Sequence, residues 1–357
     1  MQTYLEADGL LIPDSIVAEQ SSSDLTARFA ASLVPQGGTV ADLTAGLGVN
    51  SWWLAQRSKT VYAVEREPSR AEALRFNFEL TGVRNIEVIC DDCIHWLETS
   101  TDRFDTTFVD PSRRDEKGRR LVSLKECSPN VTELLQLLKG RTNRLIVKAS
   151  PLLDITSVLR EVPGVEGIYI VEVKREVREL LIVVDTSGSP SSATTSKEGE
   201  TEDRSFVRYV NLPPDGEPFI LELPVSEGFH FPPVEMQDVR PGGYLYEPAP
   251  GVMKSGRFEV LHNKWPDLRK LDPNSHLFYS ESLHTDFPGR AFSIKREVSS
   301  SDLKKLKGSA FNVISRNHPA KAPEIENRFK FKGSECNFII ATKILGKKYI
   351  FSAKKVV

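Results

Sequence analysis

Short apolar segments alternate with amphipathic segments between about Gly38 and Asp185. TVADLT, TVYAVE, IEVICDD, DTTFVDP and RLIVKAS have the length of strands, whereas SRAEALRFNFELTG and SPNVTELLQLLKG have a helical pattern. Strands separated by helices predict an α/β fold with a parallel sheet and helices on both faces. Too few residues separate the next apolar segments, GIYIVEVK and ELLIVVD, for a crossover. We therefore expect an antiparallel hairpin that closes the sheet.

The rest of the chain predicts two small α+β domains. Residues 186–203, TSGSPSSATTSKEGETED, contain no large apolar residue, and we expect a flexible loop at about 186–205. RYVNL and FILEL then predict a β-ribbon that still belongs to the sheet domain. Proline and glycine residues between Phe231 and Gly243 indicate a boundary. The predicted domains are an N-terminal helical segment (1–35), the sheet domain (36–225) and two small domains (241–284 and 285–357).

Composition favours a globular protein in a reducing compartment. Hydrophobic residues make up 39% and charged residues 27% of the 357 residues, and the four cysteines are too few for a disulfide scaffold. No apolar stretch is long enough to span a membrane. The sequence therefore predicts a cytoplasmic protein with no membrane association, and it leaves the oligomeric state open.

The net charge of −2 conceals an asymmetry along the chain. From Asp286 to the C-terminus there are sixteen Lys and Arg residues against six Asp and Glu residues. A basic module of this kind often binds a phosphate backbone. The alternative is a solvated lysine-rich face.

A glycine-rich loop follows the first predicted strand, in the segment VADLTAGLGVNSWWLA. It contains Asp42, Thr44, Gly46 and Gly48, and a helix begins directly after it. Two features disfavour a nicotinamide cofactor. Ser51 stands where the dinucleotide motif has its third glycine or alanine. A carboxylate before the loop would also repel a pyrophosphate and would suit a ligand that carries an amino group.

Acidic residues also end the next three predicted strands. Glu65 ends the second, where an acid can accept hydrogen bonds from ribose hydroxyls. Asp91 and Asp92 end the third, where an adenine amino group would lie, and Asp110 ends the fourth. Helix capping or turn formation could explain any one of these acids. Together with the glycine loop, they predict a pocket for a cationic cofactor.

This order of residues resembles the class I S-adenosylmethionine-dependent methyltransferases. Asp42-x-Thr44-x-Gly46-x-Gly48 looks like their first motif, and FVDPSRR occupies the position of their [DNS]-P-P-[YFW] motif. The resemblance implies a Rossmann-like sheet and S-adenosylmethionine as cofactor. It also places Asp110 and Pro111 beside the transferred methyl group. Ser112 and Arg113 replace the second proline and the aromatic residue, so the base specificity of that motif does not carry over.

A closer resemblance covers nearly the whole chain. AEQSSSDLTARFAASLV, LYEPAPGVMKSGRF, KLDPNSHLFYSESLHTDFPGRAF and ENRFKFKGSECNFIIATKILGKKYIFSAKK look like bacterial methyltransferases with a ferredoxin-like middle domain and a THUMP-like C-terminal domain. The likeness implies RNA as the substrate, with a base amino group as one acceptor. A cofactor- or RNA-binding protein without turnover remains an alternative, as does a methyltransferase of a small molecule or a protein.

Further residues are candidates for the two ends of this site. Gln20, Ser23 and Thr26 precede the sheet and, by the same resemblance, would fold over the methionine end of the cofactor; helix capping is the alternative. At the acceptor end, Lys148 closes the fifth strand and is a candidate for lining the pocket. Arg113 and Arg114 would hold a substrate phosphate, or they would pair with the acids that follow them. Catalysis is assigned to Asp110, Pro111 and Arg113.

Cys90 and Cys93 form a C-x-x-C pair, but no second pair lies at ligand spacing and the six histidines do not cluster. The sequence therefore predicts no metal site.

Overall fold

The computed structural model describes residues 3–13, 21–112, 123–187, 205–224, 234 and 239–357. Two compact units form, Met1–Leu221 and Glu222–Val357. Residues 188–204, most of the loop predicted at 186–205, lie outside the described residues.

The first sheet contains nine strands. They are β1 (Thr39–Asp42), β2 (Thr60–Glu65), β3 (Ile86–Cys90), β4 (Phe104–Val109), β5 (Thr142–Ala149), β6 (Val165–Val173), β7 (Glu176–Asp185), β8 (Phe206–Leu212) and β9 (Phe219–Leu223). Their order is β3-β2-β1-β4-β5-β7-β6-β8-β9, and the first five strands are parallel. β7 is antiparallel to β5 and to β6, which confirms the predicted closing hairpin. β8 and β9 extend the same sheet.

Helices lie between these strands, as the alternating pattern predicted. A 3₁₀ turn (Tyr4–Glu6) and α1 (Asp24–Ser32) precede β1. The N-terminal helical segment at 1–35 stays a prediction as a separate unit. The other helices of this unit are α2 (Val49–Ala55), α3 (Pro68–Leu80), α4 (Cys93–Thr99), α5 (Val131–Leu138) and α6 (Ile155–Glu161). Several begin at a side chain that accepts a backbone N–H, as Asn130 does for α5 and Asp154 does for α6.

Two apolar clusters pack the helices of this unit against its strands. In one, Phe29 packs with Val40, Phe108 and Ile146. The other is built around Tyr4 and includes Leu47, Trp52, Leu74 and Phe78. Burial of each such side chain contributes about 1.5–3 kcal/mol. The carboxyl ends of β1 to β5 lie along one edge of the sheet, where ligands of parallel sheets bind.

The second unit contains one seven-stranded sheet. Its strands are β10 (Tyr244–Pro248), β11 (Arg269–Lys270), β12 (Phe278–Ser280), β13 (Gly289–Glu297), β14 (Asn312–Ser315), β15 (Asn337–Ile344) and β16 (Lys347–Lys355). Their order is β11-β12-β10-β13-β16-β15-β14. The helices are α7 (Pro250–Ser255), α8 (Glu259–Lys264), α9 (Ser300–Lys305) and α10 (Ala322–Phe329). β15 and β16 form an antiparallel hairpin that turns at Leu345 and Gly346, with positive φ at both.

The two small domains predicted from sequence share this sheet. β10 pairs with β12 on one side and with β13 on the other. Strands from both sides of the 284/285 boundary are thus hydrogen-bonded to each other. The boundary stays a prediction about domain units and does not correspond to a break in the sheet.

No helix in the described ranges is long and apolar enough to cross a membrane.

Candidate functional site

The glycine-rich loop begins at Asp42, whose side chain is fully buried at the end of β1. Ser51 Oγ donates to Asp42 Oδ2 (2.6 Å), and the amide of Thr44 donates to Oδ1 (3.1 Å). Burial raises the pKa of Asp42 to about 6, although the hydrogen bonds from Ser51 and Thr44 oppose the shift. Asp42 therefore ties the loop to α2, and its carboxylate lies beneath the loop surface.

Two glycines in this loop adopt left-handed backbone conformations, with φ of 56° at Gly46 and 89° at Gly48. A Cβ atom on Gly48 would lie 2.6 Å from Leu74 Cδ2 and 2.8 Å from Phe78 Cζ. Only glycine fits there, because α3 packs directly against the loop. At Gly46 the surroundings are open, with Thr44 O at 3.9 Å as the nearest atom.

Glu65 links the end of β2 to the glycine loop. Its Oε2 accepts from the amide of Gly46 (3.1 Å), and its Oε1 accepts from the amide of Glu67 (2.9 Å). A carboxylate has about four acceptor positions, so Glu65 retains capacity for further donors. The structure therefore brings the predicted second-strand acid into contact with the loop of the first motif.

The acids after β3 have two different environments. Asp92 Oδ1 accepts from the amides of Ile94 (2.9 Å) and His95 (3.3 Å) and thereby caps α4. Asp91 pairs with His95, whose Nδ1 lies 2.8 Å from Asp91 Oδ2. This hydrogen bond and the negative charge of Asp91 raise the pKa of His95. Asp92 has the capping role that the sequence left open, and a role in binding adenine stays a prediction for both acids.

Asp110, directly after β4, is held from two directions. Its backbone N–H donates to Thr44 Oγ1 (2.7 Å), which connects the end of β4 to the glycine loop. Its Oδ2 accepts from Lys148 Nζ (2.6 Å) at the end of β5. Lys148 is 5% exposed, and its Nζ also donates to Ser22 Oγ (2.8 Å) and lies 3.9 Å from Glu179 Oε2. Asp110 and Lys148, predicted separately, thus form one ion pair in which Lys148 is buried and Asp110 is partly exposed.

Sequence reasoning did not identify Glu179, and it did not single out Ser22 within the segment from Gln20 to Thr26. Glu179 is 3% exposed on β7, which returns antiparallel beside β5. The available signal was an acid at the start of the apolar segment ELLIVVD, where a buried charge requires a partner. Ser22 had no distinguishing signal within the serine run that precedes α1.

The pre-sheet segment contacts the site through Ser22. Ser23 caps the N-terminus of α1, because its Oγ accepts a hydrogen bond from the amide of Thr26 (3.2 Å). Ser22 Oγ accepts from Asn50 Nδ2 (3.0 Å) and from Lys148. Asp24 accepts from Trp53 Nε1 (2.6 Å) and anchors the segment on α2. Cofactor contacts by Ser23 and Thr26 stay a prediction, and Gln20 lies outside the described residues.

The acceptor side of the site is described as far as Ser112. Pro111 is buried, and Ser112 is exposed and forms a bridge with Ser128. Arg113 and Arg114 lie outside the described residues. Their predicted contact with a substrate phosphate therefore stays a prediction.

Cys90 is exposed and Cys93 is buried, and both are free thiols. Burial raises the pKa of the Cys93 thiol to about 11. Within the described ranges, no group of three or more His, Cys, Asp or Glu side chains is arranged to hold a metal ion.

Part of the basic charge in the second unit is neutralised internally. Glu247 is fully buried, and its Oε2 accepts from Arg290 Nε (2.9 Å) and Nη2 (2.5 Å). Its Oε1 accepts from Arg316 Nε (3.0 Å) and Nη2 (2.8 Å). The surface charge available to a polyanion is therefore smaller than the sequence count indicates.

Comparison with known proteins connects this geometry to a class of enzymes. A family model described as a ferredoxin-like domain matches residues 244–288. The crystal structure of a candidate methyltransferase from Porphyromonas gingivalis W83 aligns with 98% of this chain and 84% of its own chain, at 26% identity and a TM-score of 0.84. The chain has a methyltransferase fold joined to a ferredoxin-like domain. The family model ends at residue 288, and the THUMP-like character of the remaining residues stays a prediction.

Two curated relatives match shorter stretches of this methyltransferase-fold protein. An uncharacterised protein of Mycoplasma mobile, named as an RNA methyltransferase, is 39% identical over 75 residues, which are 21% of each chain. A protein of Sulfolobus acidocaldarius, named as a cobalt-precorrin-6B C(15)-methyltransferase, is 32% identical over 82 residues. That match covers 23% of this chain and 43% of the relative. The chain thus spans less than half of either curated relative.

Proposed function

We propose that this chain is an S-adenosylmethionine-dependent methyltransferase that acts on RNA. The observation that carries the proposal is the connected edge of the first sheet. There, Asp110 is bonded through its amide to Thr44 of the glycine loop and through its carboxylate to Lys148. A cofactor on the loop and an acceptor beside Asp110 would meet at this edge.

The carboxylates at this edge fit a cationic cofactor that carries a ribose. Asp42, Glu65, Asp91 and Asp110 all lie at the carboxyl ends of adjacent strands, next to a glycine loop that leaves room at Gly46. Glu65 would accept hydrogen bonds from the ribose hydroxyls, and Asp91 would lie on the adenine side. Asp42 has no exposed surface, so it would act through its charge and through the loop that it organises.

When bound, S-adenosylmethionine supplies an activated methyl group together with its own leaving group. The chain then mainly has to align the acceptor. Asp110 would accept a hydrogen bond from a base amino group and orient the nitrogen lone pair toward the methyl group. Lys148 would fix the rotamer of Asp110, since the ion pair at 2.6 Å and the contact with Ser22 hold its ammonium group in place.

The choice of RNA is supported by the name of the Mycoplasma mobile relative and by the basic C-terminal residues. Arg113 and Arg114 would bind a phosphate next to the target nucleotide. On this proposal, Arg113→Ala should raise the apparent KM more than it lowers kcat.

A small-molecule methyltransferase is the second candidate, favoured by the match to the Sulfolobus acidocaldarius relative.

Transfer of labelled methyl groups distinguishes these candidates. Purified protein is incubated with methyl-labelled S-adenosylmethionine in three separate reactions, which contain total RNA, total protein or a metabolite extract. We expect label in RNA, and Asp110→Ala should slow its incorporation by about 100-fold, or about 2.7 kcal/mol of barrier. Glu79→Ala, which removes an exposed acid at the far end of α3, is the matched control and should retain the wild-type rate.

Label in metabolites alone would favour the second candidate. Cofactor binding without transfer to any fraction would indicate a binding protein without turnover.

A further inference from the structure

The β6–β7 hairpin extends past the carboxyl end of β5, the strand that carries Lys148. Ala149, the last residue of β5, pairs with Leu180 of β7, while β7 itself begins four residues earlier at Glu176. Those four residues continue past the end of β5, over roughly 13 Å at the usual rise per residue. These residues and the facing end of β6 form an arm that passes beyond β5 on one side and stays paired with β8 on the other, as far as Val173 and Leu212. Glu179, the first arm residue beyond β5, lies 3.9 Å from Lys148, which places the arm beside the edge where the acceptor would bind.

The arm ends in a two-residue turn, Lys174-Arg175, closed by the pairing of Val173 with Glu176. Both turn residues have positive φ, 49° at Lys174 and 63° at Arg175. A turn of this type favours Asn-Gly, and residues with long side chains are strained in it. Among the described residues, Lys174 and Arg175 are the one pair of consecutive non-glycine residues that both have positive φ. Backbone strain of this kind concentrates at functional positions.

The tip of the arm is basic, whereas the neighbouring strand ends are acidic. Lys174 and Arg175 are exposed, and Arg178 on the flank is 49% exposed and pairs with Glu176 (3.0 Å). The exposed tip therefore carries a net charge of about +2. The acids along the rest of the edge suit a cationic cofactor, so the arm offers the complementary charge for an anionic acceptor.

We infer that Lys174 and Arg175 bind the phosphate backbone of RNA beside the nucleotide that is methylated. This inference rests on the proposed function. It places one contact with the RNA in the first unit, at the tip of the β6–β7 hairpin. Lysine supplies a point charge, and arginine can contact a phosphate through two N–H groups.

The double variant Lys174→Asn, Arg175→Gly separates charge from structure. Asn-Gly suits the turn, so the melting temperature should stay the same or rise. Affinity is measured by fluorescence anisotropy with a labelled single-stranded 20-nucleotide oligouridylate. Loss of two phosphate contacts should weaken binding roughly 25-fold at about 0.1 M salt and reduce the slope of log affinity against log salt by about 1.4.

The matched control is Lys59→Asn, Lys139→Asn, which removes two exposed lysines near the starts of β2 and β5, at the opposite edge of the sheet. It should bind as the wild type does. The inference is overturned if the hairpin variant keeps the wild-type affinity and salt slope, or if the control loses as much affinity. If the wild-type protein neither binds the oligonucleotide nor methylates RNA, the proposed function fails as well.

Discussion

The buried carboxyl group of Asp42 gives the first unit a pH dependence that can be measured. It accepts hydrogen bonds from Ser51 and from the amide of Thr44, and it has no exposed surface. Burial disfavours its ionised form and raises its pKa from 3.8 to about 6. Asp42→Asn removes the ionisation but keeps the shape of the side chain and one acceptor oxygen.

The sign of the effect follows from the direction of the shift. When folding raises the pKa of an acid, its contribution to the free energy of unfolding is fully present below the pKa that it has in the unfolded chain. That stability is lost as the pH rises through the folded pKa. At ~1.4 kcal/mol per unit, the shift from 3.8 to about 6 corresponds to about 3 kcal/mol. At neutral pH, Asp42→Asn should therefore be more stable than the wild type by up to this amount.

Urea unfolding followed by tryptophan fluorescence measures the difference, since Trp52, Trp53 and Trp96 lie in the first unit. Other titrating groups are common to both proteins, so the difference in unfolding free energy isolates Asp42. It should grow by about 2 kcal/mol between about pH 4.5 and about pH 7.5. A difference that stays constant over this range would contradict the prediction, because Asp42 would then have the same pKa in the folded and unfolded states.

Substitutions at three further positions test the site. Glu65→Ala should weaken S-adenosylmethionine binding by about 1–3 kcal/mol in calorimetry, through loss of charge-assisted hydrogen bonds; unchanged affinity would remove Glu65 from the cofactor site. Gly48→Ala places a Cβ 2.6 Å from Leu74 and should lower both Tm and cofactor affinity. A wild-type Tm would show that the loop can move away from α3. Lys148→Met leaves the buried Glu179 and the partly exposed Asp110 without this cation and should cost about 3–5 kcal/mol in urea unfolding, whereas Lys148→Arg should retain much of that stability. Equal stability for the two variants would contradict a paired Lys148.

Local pattern was sufficient to predict the first sheet. The apolar segments ended at Asp42, Glu65 and Asp110, and the structure places all three at one edge of the sheet. The short link between GIYIVEVK and ELLIVVD was likewise sufficient to predict the β6–β7 hairpin. In each case the deciding information lies within a few residues along the chain.

Long-range pairing limited the prediction of the site. Glu179 and Ser22 approach Lys148 from positions 31 and 126 residues away along the chain, and sequence spacing does not show such contacts. Arg290 and Arg316 were counted as surface charge, although both are bonded to the buried Glu247.

The same limit applies to the second unit. β10 joins β13 across the predicted boundary at 284/285 through hydrogen bonds that no local pattern indicates.

Mass spectrometry of modified nucleosides is the most direct test of whether this protein methylates RNA. Total RNA is compared from a strain that lacks this protein and from the same strain carrying either the wild type or Asp110→Ala. We expect a methylated nucleoside to be lost in the deletion strain, restored by the wild type and not restored by folded Asp110→Ala. An unchanged set of methylated nucleosides in the deletion strain would contradict a role in RNA methylation.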